Sequence, residues 1–335
     1  MATLVEKLRK NWFMVGIVVF ILFAKMAPWI GMKGGPLHPE FTIKYMAVMI
    51  IFFNSGLSLK SEDLKAALFH YRLHIFIQGF TFVFFPLCMT FLMNVLPLAD
   101  YVNKHLVKGI RVVSCMPPPV SSAVIITKAI GGNEAGAIFN SAMGSFLGIF
   151  VTPVLLLTFV GIDGNVPVMS ILQTLTITVV IPLALGQYAR SHLKKWMEET
   201  KPPLSQVGSF MLLLIIYSTF CDTFSTETSQ INAKDLLIVG ILIFLIQTSF
   251  MYLIFSSTSA GNIGYSKEDV VALMFCSTHK SLTLGMPILK IIYAGDAILP
   301  FISIPLLIYH PTQILLGSVL VPFVKSWLLS TDLPR

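Results

Sequence analysis

Three consecutive prolines, Pro117, Pro118 and Pro119, interrupt an apolar segment that is otherwise long enough to cross a lipid bilayer. Each proline lacks an N–H donor and its ring clashes with the preceding turn, so a helix cannot run through them intact. Lipid supplies no hydrogen bonds to the main-chain groups that such a break exposes. The break must therefore lie inside protein or beside a water-filled cavity, as do the broken helices at transporter binding sites.

The composition indicates that the whole chain lies in a membrane. Of 335 residues, 55% are hydrophobic and 12% are charged, against about 25% charged in ordinary soluble domains. Runs of about 17–25 apolar residues can span a bilayer. Ten such runs are predicted, at residues 12–31, 41–59, 73–97, 109–129, 136–160, 167–189, 208–225, 236–257, 268–292 and 298–328. We expect an all-α polytopic protein with one membrane domain, residues 1–335, surrounded by the lipid bilayer.

The basic residues predict the orientation of these spans. If successive loops are assigned to opposite sides of the membrane, fourteen of the 23 Lys and Arg residues lie on the side of the N-terminus and eight on the other side. The remaining one, Lys280, lies inside a span. The positive-inside rule then predicts that both termini are cytosolic. Topology explains the net charge of +7, so no nucleic-acid partner is expected. The four cysteines lack the spacing of a metal site and are expected to be free thiols.

Two weak sequence echoes indicate an internal duplication. Residues 77–80 of span three resemble residues 246–250 of span eight, and residues 128–135 resemble residues 290–297. Each pair lies five spans apart, and because five is odd, the two halves must face opposite sides of the membrane. The predicted repeats are residues 12–160 and 167–328, and inverted repeats are typical of secondary transporters with a site at the midplane.

Span nine is the predicted partner of the proline break because its middle is unusually polar. A lysine at the centre of a bilayer costs about 3 kcal/mol, so it normally faces a cavity or a partner. Alternatively, Lys280 extends to a membrane interface. The polar residues of this span are Ser277, Thr278, His279, Lys280, Ser281 and Thr283.

Five segments of the chain resemble solute carrier family 10, the bile acid:sodium symporter family. They are residues 52–60, 115–135, 139–153, 275–290 and 304–318, and the resemblance extends over nearly the whole chain. It implies ten helices in two inverted five-helix repeats, with broken helices four and nine crossing at the centre of a core domain beside a panel domain. The resemblance is to a branch of the family whose members are associated with calcium homeostasis and with glycosylation and proteoglycan handling. For members of that branch, bile acid transport is not expected.

The resemblance implies an altered ion site. Ser122 matches a serine of the sodium-coupled members, but Ala123 stands at their asparagine and Phe275 at their glutamate. Ala137 and Ser141 stand at two hydroxyl positions of helix five, where only the serine is polar. Two further correspondences are His279 for a glutamine of helix nine, and Gln78 or its rival Thr81 for a glutamine of helix three.

The positions of the acidic residues also argue against a sodium site of the kind found in the sodium-coupled members. All sixteen Asp and Glu residues fall in loops, tails or near span ends, and Asp222 comes closest to the interior. A hard cation would then depend on neutral oxygens and on carbonyls freed at the prolines. The candidate oxygen donors are Ser121, Ser122, Asn140 and Ser141. We expect no cofactor, and sodium coupling stays an open alternative.

Lys280 and His279 are the residues on which a mechanism depends. One hypothesis is an alternating-access carrier in which Lys280 replaces a coupling cation or contacts an anionic substrate, with His279 available for proton coupling. In the alternative, both side chains only hold the helix crossing together by bonding to carbonyls. Asn54 either lines the cavity or, with Gly56, bends span two, and Asp222 is either a gate or ion contact or the cap of a helix end.

The sequence leaves two functions open. The first is a carrier of an unidentified, anionic small-molecule solute, and the second is a non-transporting membrane regulator of cellular calcium entry, which would contact the calcium-entry machinery. An enzyme is not expected, because intramembrane hydrolysis needs paired aspartates, a Ser-His pair or a His/Glu metal motif within the spans, and His279 with its nearby serines lacks any of those local signatures. The resemblance implies a location in the plasma membrane, the Golgi or the endoplasmic reticulum.

Overall fold

The computed structural model describes residues 12–58, 70–119, 122–161, 173–174, 176–200, 202–225, 232–259, 264–293 and 296–330, and all regular secondary structure in these ranges is helical. Helices occupy each predicted apolar segment. They are α1 (Trp12–Met26), α2 (Pro39–Ser58), α3 (Tyr71–Val95), α4a (Lys104–Ser114), α4b (Ser122–Ile130), α5 (Glu134–Val160), α6 (Ile181–Thr200), α7 (Leu204–Ser225), α8 (Ala233–Ser259), α9a (Lys267–Thr278), α9b (Leu282–Ile292) and α10 (Leu299–Leu329).

Five of these helices are long and apolar enough to cross a membrane on their own, namely α2, α3, α5, α8 and α10. Shorter apolar helices occur at Val15–Met26 and Gln206–Asp222. Large apolar side chains on these helices are exposed, for example Phe91, Tyr252 and Phe323 at 68–71%. In water such a surface would drive aggregation, so it contacts the bilayer. The chain is a multi-pass, all-helical membrane protein.

Two helices are interrupted, and for different reasons. Helix α4a ends at Ser114, before the three prolines, and α4b begins at Ser122. Helix α9a ends at Thr278, and His279 has an extended backbone although no proline stands nearby until Pro287 inside α9b. Helix α10, in contrast, continues through Pro305, Pro311 and Pro322. The number of prolines alone does not decide where a helix is interrupted.

The chain divides into two compact units. Unit one comprises Met1–Leu59, Ile162–Ile231 and Met286–Ser303, and its principal helices are α1, α2, α6 and α7. Helices α2 and α6 approach closely because Gly56 and Gly186 face each other's helix, where an added Cβ would collide with main-chain atoms. The Gln187 side chain donates a 2.6 Å hydrogen bond to the Gly56 carbonyl, which fastens the same contact.

Unit two comprises Lys60–Gly161, Asn232–Gly285 and Ile304–Arg335, and it contains both helix breaks. Helix α5 lies directly against the proline break. An added Cβ at Gly148 would lie 2.6 Å from the ring of Pro117, and one at Gly144 would collide with the ring of Pro118. The small residues of α5 are therefore there because the prolines occupy the space that side chains would fill.

Candidate functional site

The two helix breaks are in direct contact within unit two. The Ser281 N–H donates a 2.8 Å hydrogen bond to the Pro117 carbonyl, so the interrupted main chains satisfy each other. A second contact joins the start of α4b to the other break, where Ser122 Oγ lies 3.3 Å from His279 Nδ1. The Ser281 hydroxyl accepts from the Leu284 N–H and caps α9b. We call this region, residues 115–119, Ser122 and residues 279–281, the crossover.

The Lys280 side chain is fully buried and bonds only to main-chain carbonyls and an aromatic ring in the described part of the chain. Its Nζ donates to the carbonyl oxygens of Ser114 and Met116, both at 3.0 Å, and of Thr81 at 3.2 Å. The Phe85 ring centroid lies 4.2 Å from the same atom. These four groups are the "carbonyl cage". The three N–H bonds of an ammonium match the three carbonyls of the cage.

Local structure explains why two of these carbonyls, those of Ser114 and Thr81, are free. Ser114 is the last residue of α4a, where carbonyls lack helical partners and the helix dipole is negative. Thr81 lies in a π-helical turn, Phe80–Phe84, which disturbs the usual pattern of main-chain bonds in α3. Hydrogen bonds to a charged group contribute about 1.5–3 kcal/mol each. Three of them are comparable with the several kcal/mol that burial of an ion costs.

The main chain of Lys280 is held separately from its side chain. The Gln313 Oε1 accepts a 2.7 Å hydrogen bond from the Lys280 N–H, and Gln313 Nε2 donates to the Lys280 carbonyl at 3.0 Å. Gln313 Nε2 also lies 3.2 Å from His310 Nδ1. Gln313 therefore satisfies the main chain where α9 is interrupted, and His310 belongs to the same network on α10.

His279 is fully buried and uses one of its ring nitrogens. Its Nδ1 faces the Ser122 hydroxyl, and its ring packs edge-on against Phe275 with centroids 5.5 Å apart. Its Nε2 has no hydrogen-bond partner among the described residues. The ring therefore retains one nitrogen that could exchange a proton with a ligand or water.

The end of α9a is tied to two neighbouring helices. The Thr278 hydroxyl donates to the Met274 carbonyl at 2.7 Å and accepts from Gln247 Nε2 at 3.4 Å. The Tyr309 hydroxyl donates a 2.7 Å hydrogen bond to the Thr278 carbonyl. Ser277 is fully buried, and its hydroxyl has no partner among the described residues. Three helices, α8, α9a and α10, thus meet where α9 breaks.

The polar residues of α3 and α5 form a neighbouring group. Gln78 Nε2 donates to the Asn140 carbonyl at 3.1 Å and to its side-chain oxygen at 3.3 Å, and Asn140 Nδ2 donates to the Gly136 carbonyl. Ser141 Oγ lies 4.0 Å from the Cys276 sulfur. Of the two candidates for the glutamine of helix three, Gln78 bonds α5, whereas the Thr81 carbonyl belongs to the carbonyl cage.

The remaining predicted site residues lie in unit one, next to Ser281, or outside the described residues. Asn54 and Asp222 belong to unit one, where Asn54 Nδ2 donates to the Leu204 carbonyl at 3.4 Å. Asp222 forms an ion pair with Lys290 at 3.1 Å and accepts from the Lys33 N–H at 2.8 Å. Thr283 is exposed and its hydroxyl lies 3.1 Å from that of Ser281. Ser121 lies outside the described residues.

The carboxylates do not form a metal site in the part of the chain that the structure describes. There, no three His, Cys, Asp or Glu side chains come close enough to hold an ion. The cysteines described are free thiols, at positions 88, 115, 221 and 276. The crossover is therefore supplied with oxygens from carbonyls, hydroxyls and amides, and its buried positive group is Lys280.

Sequence reasoning missed three residues that organise the breaks. Gln313, Tyr309 and Gln247 bond the main chain or side chains of residues 278–280, yet none of them was among the predicted site residues. A signal was present: residues 309 and 313 are one helical turn apart and share a face of α10. Gln247 is also the residue that echoes Gln78 in the predicted duplication.

Comparison with known proteins assigns the family. A sequence model of the SBF-like CPA transporter family matches residues 11–326. The chain is 58% identical over 327 residues to sodium/bile acid cotransporter 7-B of Xenopus laevis, covering 98% of this chain and 95% of that protein. It is 57% identical to sodium/bile acid cotransporter 7 of Mus musculus, with 98% and 96% covered.

The similarity extends to bacteria. An uncharacterized protein of Pseudomonas aeruginosa is 27% identical over 309 residues, with 92% of this chain and 91% of that protein covered. The match to the family includes both helix breaks and all the helices named above except the last three residues of α10. The family is one of transporters, not enzymes, the vertebrate relatives are named as cotransporters, and the chain belongs to the SBF-like CPA transporter family.

Proposed function

We propose that this protein is an alternating-access carrier of an unidentified anionic organic solute. The proposed architecture is ten spans in one membrane domain, arranged as two inverted five-helix repeats with both termini in the cytosol. The observation that carries the proposal is the Ser281–Pro117 hydrogen bond, which joins the two helix breaks within a buried polar region. Broken helices that meet in this way form the substrate site of transporters with inverted repeats.

The composition of the two units supports the proposed duplication. Unit one takes its principal helices, α1, α2, α6 and α7, from the first two spans of each proposed repeat. Unit two takes α3 to α5 and α8 to α9a from the later spans of each repeat, together with most of α10. A chain built from two copies of one five-helix element would divide in this way, and the division corresponds to the panel and core domains that the family resemblance implies.

Lys280 supplies the proposed replacement for a coupling cation. Its three N–H bonds are all directed at carbonyls, and its side chain is fully buried. These contacts support replacement of a cation over direct contact with a solute, for which Lys280 would have to leave the carbonyl cage. Sodium is then not required for transport, which agrees with the lack of a carboxylate among the described residues of the crossover.

We propose an anionic solute because of the two helices that begin at the crossover. Helices α4b and α9b both begin at the crossover, and helix N-termini favour negative charge by about 0.3–1 kcal/mol each. His279 is the proposed proton carrier, through its Nε2. The proposed solute-contacting residues are Ser121, Ser122, Asn140, Ser141, Ser277, Thr278, His279, Ser281 and Gln78.

Uptake by proteoliposomes tests this proposal. Purified protein should take up labelled organic anions from a mixed pool in a saturable manner, equally well in sodium and in choline buffer. Lys280→Met should abolish that uptake, whereas Lys128→Met, which removes an exposed lysine of α4b, should leave it unchanged. His279→Gln should remove any dependence on a pH gradient. Uptake that requires sodium, or that survives Lys280→Met, contradicts the proposed role of Lys280.

A second candidate is a membrane regulator of cellular calcium entry that carries no solute. It is favoured by the absence of a carboxylate cluster among the described residues, because a calcium carrier would need several acidic oxygens. The links to calcium, glycosylation, the Golgi, the endoplasmic reticulum and the plasma membrane rest on the family resemblance. Calcium entry measured in knockout cells decides between the two: rescue by Lys280→Met protein that has lost uptake supports the regulator.

A further inference from the structure

We propose that the carbonyl cage is a binding site for a potassium-sized monovalent cation, which in this protein is occupied by the ammonium group of Lys280. The proposal rests on the proposed function, in which Lys280 replaces a cation, and adds the size and charge of the cation that it replaces. The names of the vertebrate relatives refer to sodium, whereas the preference proposed here is for potassium. The cage consists of the carbonyls of Thr81, Ser114 and Met116 and the ring of Phe85.

The distances favour a large cation. The carbonyl oxygens lie 3.0–3.2 Å from Nζ, whereas calcium binds oxygen at about 2.3–2.6 Å and magnesium at about 2.0–2.1 Å. An ammonium ion and a potassium ion are nearly equal in radius, and sodium binds oxygen at shorter distances than potassium does. Sodium would have to draw three carbonyls inward, one from α3 and two from the end of α4a and the residues that follow it.

The chemistry of the ligands also favours a monovalent, weakly hydrated cation. Neutral carbonyls replace the water shell of potassium in channel filters, and the aromatic face of Phe85, 4.2 Å from Nζ, attracts a cation that has lost its water. None of the acceptors is a carboxylate, so a divalent ion would have no counter-charge. Potassium loses its water more readily than sodium does.

The cage should persist when the lysine side chain is removed. Its three oxygens are main-chain atoms, set by the end of α4a and by the π-helical turn of α3. The Lys280 main chain is held by Gln313 independently of its side chain. Lys280→Ala therefore removes three carbons and an ammonium and leaves a space of their shape, which propylammonium or a small cation with water can occupy.

Thermal unfolding of the full-length Lys280→Ala protein tests the site. The midpoint is measured at constant ionic strength in choline, sodium, potassium, ammonium and propylammonium chloride. We expect potassium, ammonium and propylammonium to raise it saturably by at least about 2–4 °C, and sodium and choline to have little effect. The midpoints of wild-type protein and of Lys280→Met, whose side chain fills the space without a charge, should not depend on the cation in this way. Equal midpoints of Lys280→Ala in all five salts overturn the proposal.

If Lys280→Ala does not accumulate, the yield of folded protein becomes the measurement. Propylamine supplied to the expressing cells should restore a monodisperse peak in size-exclusion chromatography, and trimethylamine, which is too bulky for the cage, should not. No difference between the amines overturns the proposal. Failure of the carrier proposal can be distinguished from failure of the cation site, because the effect of each cation on the midpoint of Lys280→Ala does not require transport. Conversely, if wild-type protein shows sodium-independent uptake but the midpoint of Lys280→Ala does not depend on the cation, only the cation-site proposal is overturned.

Discussion

Gln313 pairs with the main chain of Lys280 through both ends of its side-chain amide, at 2.7 Å from the Lys280 N–H and at 3.0 Å to its carbonyl. The amide acts as a substitute for the helical hydrogen bonds that are lost where α9 is interrupted. All of these groups are buried. The position of Lys280, and hence of its ammonium in the carbonyl cage, depends on a residue of α10.

Replacement of Gln313 by alanine should therefore destabilise the protein. Two buried main-chain groups lose their partners, and each unsatisfied group costs about 1–3 kcal/mol. We expect a loss of about 2–5 kcal/mol, seen as a clear fall in the thermal midpoint of the purified protein. Gln206→Ala, at an exposed position of α7, serves as the control and should leave the midpoint almost unchanged. Equal midpoints for the two variants would show that the amide is not needed at the break.

Glycine replacements on two helices should have opposite effects. Gly148→Ala places a Cβ 2.6 Å from the Pro117 ring, and overpacking of this kind costs about 1–3 kcal/mol. Gly240→Ala on α8 meets nothing within 4 Å and should stabilise the protein by about 0.5–1 kcal/mol through the lower entropy of its unfolded chain. Thermal midpoints of the two variants test this contrast. A stable Gly148→Ala protein would mean that the proline break can move away from α5.

The ion pair between Asp222 and Lys290 should contribute more than the pair between Lys128 and Glu134. Lys290 is 10% exposed and Asp222 37%, whereas the other pair is 67% and 40% exposed. Surface pairs contribute about 0–1 kcal/mol and breaking a buried pair costs about 3–5 kcal/mol. A double-mutant cycle with Asp222→Asn and Lys290→Met should give a coupling of about 1–2 kcal/mol. The cycle with Lys128→Met and Glu134→Gln should give less than about 0.5 kcal/mol, and the reverse order would contradict the structure.

The hydroxyl of Tyr309 should stabilise the end of α9a. Tyr309→Phe keeps the ring but leaves the Thr278 carbonyl without the 2.7 Å hydrogen bond that this hydroxyl donates. The expected loss is about 1–2 kcal/mol, measured as a lower thermal midpoint. Tyr188→Phe removes a hydroxyl from a side chain that is 67% exposed and should have no measurable effect. If both variants melt like wild-type protein, the bond to Thr278 contributes nothing to stability.

Much of the fold could be predicted because the bilayer imposes strong local rules. The apolar segments at residues 41–59 and 73–97 coincide with α2 and α3 to within about three residues, because a span needs a minimum number of apolar residues. The first part of span six, from residue 167, falls largely outside the described residues, and α6 continues to Thr200, beyond the predicted end at residue 189. Polar residues at the end of a helix give no signal of where it stops when neighbouring helices support it.

The site was predicted less completely, and the reason is physical. Periodicity and composition report on neighbours along the chain, whereas the partners of Lys280 lie 33 to 199 residues away in sequence. A glutamine such as Gln313 in an apolar helix has the same appearance whether it lines a cavity or pairs with a main chain. The alternatives proposed for Asn54 and Asp222 could not be separated for the same reason, and both proved to contact helices or loops of unit one.

The sequence by itself determined that this chain spans a membrane several times, that it breaks at Pro117, Pro118 and Pro119, and that a lysine stands where a charge is costly. These follow from the energies of single groups in lipid, which do not depend on the fold. Only the tertiary structure decided what the lysine binds. Its ammonium bonds three carbonyls, and two of them are free because α4a ends at Ser114 and α3 has a π-helical turn at Thr81. Such a coincidence of two helix irregularities is a property of packing.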